Sequence, residues 1–341
     1  MQMNGKQRID AVLQGEWPDS RPVLLHNFLM AAREFGVIMK QYREDPAIIA
    51  RSHMHAIEKY DLDGAVIDID TATLAGAVGV PVDFSEVNPA GISRPLLDSL
   101  DRVKYLESAD IQKDERVQIW LEACRIIKKH YGDEKYIRGN CDQAPFSLAS
   151  MIRGSANWML DLLLDDELVF SLLDYCTDIT SQFINLMAQA GVDMVSNGDS
   201  PAGPDMISPE FYLKYAQPYE RKIVEVAHSN GKPYLLHICG NTDLILNEML
   251  KTKADVLELD YKTDLQLAQD LCAGEKVAFC GNIDPTGVLA MGTPELIEKK
   301  VKEVLRIFDG NPRLIINAGC AIPAETPDVN IKKLVDAAKN Y

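Results

Sequence analysis

The stretch PYLLHIC (233–239) is a short apolar run that ends in a histidine and a cysteine, and its reading decides the fold. Seven further runs resemble it: PVLLHN (22–27), GAVIDID (64–70), KYIRGNCD (135–142), DMVSNGD (193–199), DVLELD (255–260), VAFCGNID (277–284) and LIINAGC (314–320). Several are too apolar for a sheet with one wet face. Strands buried on both faces read this way, and they belong to parallel sheets covered by helices.

Longer amphipathic stretches separate the runs. DPAIIARSHMHAIEKY (45–60) reads as a helix, as does the segment from Asp110 to His130. Ser208, Thr293 and Thr326 each stand before a proline and open helical patterns running to Asn230, Phe308 and Asn340. Repeated strand–helix order implies parallel strands with right-handed crossovers. Eight such units predict a closed (β/α)8 TIM barrel rather than an open doubly wound sheet, and no Gly-rich dinucleotide fingerprint follows any strand. The irregular segment 71–100 is expected to be an elaborated loop at the barrel top. Extra helices over 143–190 are expected to form a cap. No linker or low-complexity tract divides the chain, so residues 1–341 are read as a single domain.

Composition narrows the function classes. Of 341 residues, 51 are acidic and 35 basic, a net charge of -16 that disfavours a broad nucleic-acid or anionic-membrane face. The seven scattered cysteines argue against a disulfide framework. The N-terminal stretch MQMNGKQRIDAVLQGEW lacks a signal-peptide core, and no apolar run spans a membrane. A cytoplasmic protein is expected.

Chemistry in a barrel collects at the C-terminal strand ends. The ends here carry His26 and Asn27, Asp68 and Asp70, Asn140 to Asp142, Asn197 and Asp199, His237 and Cys239, Glu258 and Asp260, Cys280 to Asp284, and Cys320. Residues two apart on a strand share a face, so His237 and Cys239 aim an imidazole and a thiol at one place. That pair suits zinc, and Cys320 supplies a third ligand if the barrel closes. Three protein ligands leave a fourth position for water or substrate. The plainer alternative is a polar strand end with unreactive cysteines, and Cys280 is a rival or fourth ligand. Asp199 is either a loop carboxylate or a catalytic one that orients His237 or touches substrate. His26 and Asn27 are either substrate contacts or buried polar groups.

Four segments carry a family resemblance: NGDSPAGPDMISPEFYLKYAQPY (197–219), LLHICGNTDLIL (235–246), FCGNIDPTGVL (279–289) and NAGCAIPAETPDVNIKKLVDA (317–337). They resemble the uroporphyrinogen decarboxylase superfamily, whose fold is a (β/α)8 barrel. The decarboxylases of that superfamily need no metal and carry an R-Q-A-G-R type motif near the N-terminus that clamps tetrapyrrole carboxylates. Here that region reads RPVLLHNFLMAAREFG (21–36), with Arg33 as the nearby basic residue. The sequence is closer to the branch of methylcobamide:coenzyme M methyltransferases, whose H-x-C and distant C bind zinc. The resemblance therefore implies Zn2+ on His237, Cys239 and Cys320, with Asn241 and Asn282 placed toward the cofactor. It further implies a corrinoid (methylcobamide) on a separate carrier protein, docked over the barrel mouth. A small thiol such as coenzyme M, bound at zinc as a thiolate, would be the nucleophile. The alternatives are a decarboxylase-like enzyme acting on a tetrapyrrole, and a non-enzymatic corrinoid carrier, whose D-x-H-x-x-G motif is not found.

Overall fold

The computed structural model describes residues 2–272 and 274–341. Nine strands form: β1 (Gly64–Ile67), β2 (Val82–Asp83), β3 (Gly91–Ile92), β4 (Tyr136–Gln143), β5 (Met194–Gly198), β6 (Tyr234–Ile238), β7 (Val256–Leu259), β8 (Ala278–Ile283) and β9 (Leu314–Ala318). Seven of them make one curled sheet in the order β1-β4-β5-β6-β7-β8-β9, every neighbouring pair parallel. Helices lie between the strands and cover the outer face, which explains why the strand residues are buried on both sides.

The expected first strand, PVLLHN, is the exception. It makes a single parallel bridge, Val23 to Ile316, beside β9. Its backbone does join both edges of the sheet. Leu24 N donates to Ile316 O at 3.1 Å, and Asp63 N donates to Val23 O at 3.1 Å. Regular pairing fails for reasons visible in the residues. Pro22 has no N–H to give. Val23 N donates to the Asp63 carboxylate at 2.8 Å, and His26 N to the Asn317 side chain at 3.1 Å. Side-chain acceptors have replaced the ladder.

Within the curl lies a second, inner core. Leu24, Val66, Tyr136, Met194, Leu235, Val256, Ala278, Cys280 and Ile315 meet there, so all seven strands and the bridging segment contribute. Ile9 and Val12 of the N-terminal helix (Gly5–Gln14) join from below. That helix starts on a capping box in which Asn4 and Gln7 exchange hydrogen bonds. The lower interior is thus packed, which leaves the strand C-termini as the face where polar groups gather.

Helix boundaries shift where local chemistry intervenes. Asp45 caps Pro46–Tyr60 as the sequence suggests. The helix expected from Asp110 begins at Glu115, after a 3-10 turn and a new cap at Asp114. Ser208 caps Pro209–Phe211, but Pro218 interrupts the ladder, and a π turn over Tyr212–Ala216 precedes the helix Gln217–Ser229. The last helix starts at Asp328, not at Thr326, whose hydroxyl finds no partner. Segment 71–100 holds a short helix (Thr73–Ala77) and the β2–β3 pair. Over 143–190 three helices form, Pro145–Arg153, Ser155–Asp161 and Asp166–Gln189, and the last packs on β4 and β5 as part of the outer layer rather than as a cap. Among the described residues no helix is long and apolar enough to cross a membrane.

Candidate metal centre at the strand C-termini

β6 ends by delivering His237 and Cys239 to the mouth, and the chain must then turn sharply. Gly240 makes that turn at φ +88°, where a Cβ would meet the Asp205 carboxylate at 2.5 Å. Cys320 arrives from the loop after β9. The ligand atoms of His237, Cys239 and Cys320 all lie within 4.8 Å of one another. Cys239 Sγ is 3.7 Å from Cys320 Sγ and 2.9 Å from His237 Nε2. Zinc–sulfur bonds of about 2.3 Å in a tetrahedron place two sulfurs about 3.8 Å apart. The cysteine pair already has that spacing. The imidazole would retreat by about 0.6 Å to take the nitrogen position.

The imidazole is set for this role from behind. His237 Nδ1 donates to the Glu258 carbonyl at 3.1 Å, which turns Nε2 toward the thiols. The Glu258 carboxylate lies 3.7 Å from the same Nδ1. Arg138 holds that carboxylate in a bidentate pair at 2.7 and 2.9 Å, and Asn317 Nδ2 donates to it at 2.6 Å. Burial opposes the charge on Glu258, but the Arg138 guanidinium prevails and holds the acid down at about 2.

The three cluster residues titrate together. The hydrogen bond from Cys320, with the charge on His237, pulls Cys239 far below the ordinary thiol range despite burial. Cys320, as the donor, is driven up. Burial works against the charge on His237, yet the Cys239 thiolate and Glu258 bring it up to about 9. The pocket therefore favours a thiolate, the form in which sulfur binds a metal. One nitrogen and two sulfurs with this spacing fit Zn2+, which would take the place of the proton on Nε2.

The other sequence-predicted residues are placed as follows. Cys280 points into the inner core and is held up by burial, so it lies outside the cluster. The Asp199 carboxylate does not meet the His237 ring. Its Oδ1 accepts Ser147 N and Ser147 Oγ at 2.8 and 2.7 Å, while only its backbone N–H reaches the His237 carbonyl. Burial pushes Asp199 up to about 6, and burial with the charge of Asp199 pushes the neighbouring Glu220 up further. Asn241 is exposed and accepts Asp243 N within its own turn. Asn282 bridges loops by donating to Asp260 O and Thr263 O. Asp70, Asp142, Asp260 and Asp284 accept backbone N–H groups of the loops beyond the strands. Many polar strand ends thus build the rim rather than the reaction centre.

Sequence reasoning did not single out Arg138, Ser147, Glu220 or Asn317. A signal existed for one of them: Arg138 is a charge inside an otherwise apolar strand, and such a residue needs a buried partner.

The uroporphyrinogen decarboxylase (URO-D) family matches residues 4–341, and the chain belongs to it. It is 38% identical over 226 residues to the methylcobamide:CoM methyltransferase MtbA of Methanosarcina acetivorans, covering 66% of this chain and 64% of that protein. To the MtbA of Methanosarcina mazei it is 36% identical over 289 residues, covering 84% and 82%. A solved methyltransferase structure from Methanosarcina mazei superimposes with a TM-score of 0.90 over 98% of both chains, at 24% identity, and supports the fold.

Proposed function

We propose, from its membership of the uroporphyrinogen decarboxylase family, that this chain is a zinc-dependent methyltransferase acting between a methylcobamide and a thiol. The domain would be a single (β/α)8 barrel whose eighth stave is the bridging segment 22–24. The observation that carries this reading is the convergence of His237, Cys239 and Cys320 within 4.8 Å at the mouth. The names of the MtbA relatives supply the two substrates, methylcobamide and coenzyme M. A bound Zn2+ would lower the pKa of an entering thiol and keep it as a thiolate at neutral pH.

The chain's own residues prepare that chemistry. Glu258 and its carbonyl fix the His237 tautomer, and Arg138 keeps Glu258 ionised. The packed interior below closes the site to water from that side. The substrate thiolate would attack the methyl carbon of the methylcobamide. A carbon–sulfur bond forms, the cobalt–carbon bond breaks, and the electron pair leaves with cobalt as Co(I). The corrinoid would arrive on a carrier protein at the open mouth.

The segment 21–36 lacks an R-Q-A-G-R type clamp, which weakens the decarboxylase alternative. The test is to mix zinc-loaded protein with methylcobalamin and 2-mercaptoethanesulfonate. Appearance of Co(I) and the methyl thioether in equal amounts is expected. Unchanged methylcobalamin, together with carbon dioxide release from uroporphyrinogen, would assign the chain to the decarboxylases instead.

A further inference from the structure

His26 and Asp68 stand beside the loop that carries Cys320 but are outside the metal cluster. The His26 carbonyl accepts Ile322 N at 2.8 Å, and its N–H donates to Asn317, which also holds Glu258. His26 Nε2 is 2.7 Å from Asp68 Oδ2. Asn140 Nδ2 donates to that same oxygen at 2.8 Å, so the buried carboxyl is fixed from a second strand. An imidazole whose Nε2–H is given to a carboxyl presents a lone pair on Nδ1. His26 Nδ1 is not among the buried polar atoms left without a partner, and the side chain keeps 14% of its surface exposed. The ring is thus anchored on one nitrogen while part of it remains open.

The groups facing His26 are few. Asp68 and Glu258 bring carboxyls, and the Phe28 ring lies 5.6 Å away. Tyr42 and His53 lie behind Asp68, and burial pushes His53 down to about 4, which keeps it neutral. No Lys or Arg pairs with Asp68 among the described residues; its side-chain partners are the His26 ring and Asn140. This arrangement suits an imidazole that gains a positive charge.

We propose that His26, oriented by Asp68, is the base that takes the proton of the entering thiol. The step rests on the thiol-acceptor reading above. The S–H bond breaks and its electron pair stays on sulfur. A new N–H bond forms at His26 Nδ1, and the Asp68 carboxylate balances the positive charge of the ring. A thiol with an ordinary pKa of about 8.5 is mostly protonated at pH 7, so a proton must leave whenever it binds as thiolate.

The test is calorimetric titration of the zinc-loaded full chain with 2-mercaptoethanesulfonate at neutral pH, in two buffers of different ionisation enthalpy. Wild type should bind the thiol and release almost no proton to buffer. In His26→Gln the release should rise to about one proton per thiol. Asp68→Asn should fall between the two. Retained zinc in His26→Gln and in a second variant, His26→Asn, shows that the site is still built. Thiol binding with the same proton release in wild type and both variants overturns the role of His26 alone. A zinc-loaded wild type that binds no thiol overturns the thiol-acceptor reading and this step with it.

Discussion

Two regions at the C-terminal end of the sheet bury carboxyl groups and treat them in opposite ways. Beneath the cluster, Glu258 is buried yet ionised, because Arg138 and Asn317 satisfy both its oxygens. Behind β5, Asp199 and Glu220 are buried together, and among the described residues no Lys, Arg or His pairs with either. Tyr212 donates to one Glu220 oxygen at 2.6 Å and Ser147 satisfies one Asp199 oxygen. Asp199 Oδ2 and Glu220 Oε1 are left without other partners, and burial drives both acids up. Two carboxyls in that setting hold a proton between them. Burial at a strand end therefore does not by itself define a role. The partner decides whether an acid is a charge serving the histidine or a protonated link in the packing.

The comparison breaks first at Glu258. Replacing it by alanine strands the buried Arg138 guanidinium, at a cost of about 3–5 kcal/mol. The same change removes the support behind His237 and should weaken zinc binding about 10–100-fold. Urea unfolding and competition with a zinc chelator measure the two effects; wild-type values in both would refute the assigned role.

A smaller effect is expected on the other side. Asp199 has a folded-state pKa raised to about 6, above its unfolded value, so protonation favours the folded protein. Its stabilising contribution is present at low pH and is lost as pH rises through about 6. Glu258 runs the other way, because its depressed pKa gives stability that is lost only as pH falls toward about 2. Glu220→Gln removes the competing acid and leaves an amide donor for Asp199. The fall in Tm between pH 5 and pH 8 should flatten in this variant. An unchanged slope would show that the two acids do not share a proton.

The smallest change is expected from Cys280→Ala. Its buried thiol meets Glu258 and Asn317 at 3.8 and 3.6 Å and belongs to the inner core. Stability should drop by about 1 kcal/mol, and zinc content should be unchanged. Loss of zinc in this variant would place Cys280 in the ligand set.

Much of this was legible in the sequence because strand alternation is local. H-x-C puts two ligands on one face wherever the strand lies, and apolar runs mark strands covered on both sides. The first strand falls short of a regular one for the opposite reason. PVLLHN has strand composition, but Asp63 and Asn317 take its N–H groups, and those partners lie 40 and 291 residues away. Asp199 shows the same limit. Its place after β5 suggested a partner for His237, whereas its side chain turns to Ser147, 52 residues back. Arg138 and Glu258 are 120 residues apart, and their pairing exists only once the sheet has curled. What stayed hidden were the long-range polar contacts, which no periodicity encodes.

The central claim is that His237, Cys239 and Cys320 form a zinc site, and metal analysis of purified protein tests it most directly. Wild type, Cys239→Ser and Cys320→Ser would be measured side by side after incubation with Zn2+ and removal of the excess. The account predicts one equivalent of zinc in wild type and its loss in both variants. A wild type that takes up no zinc, or variants that retain it in full, would contradict the account.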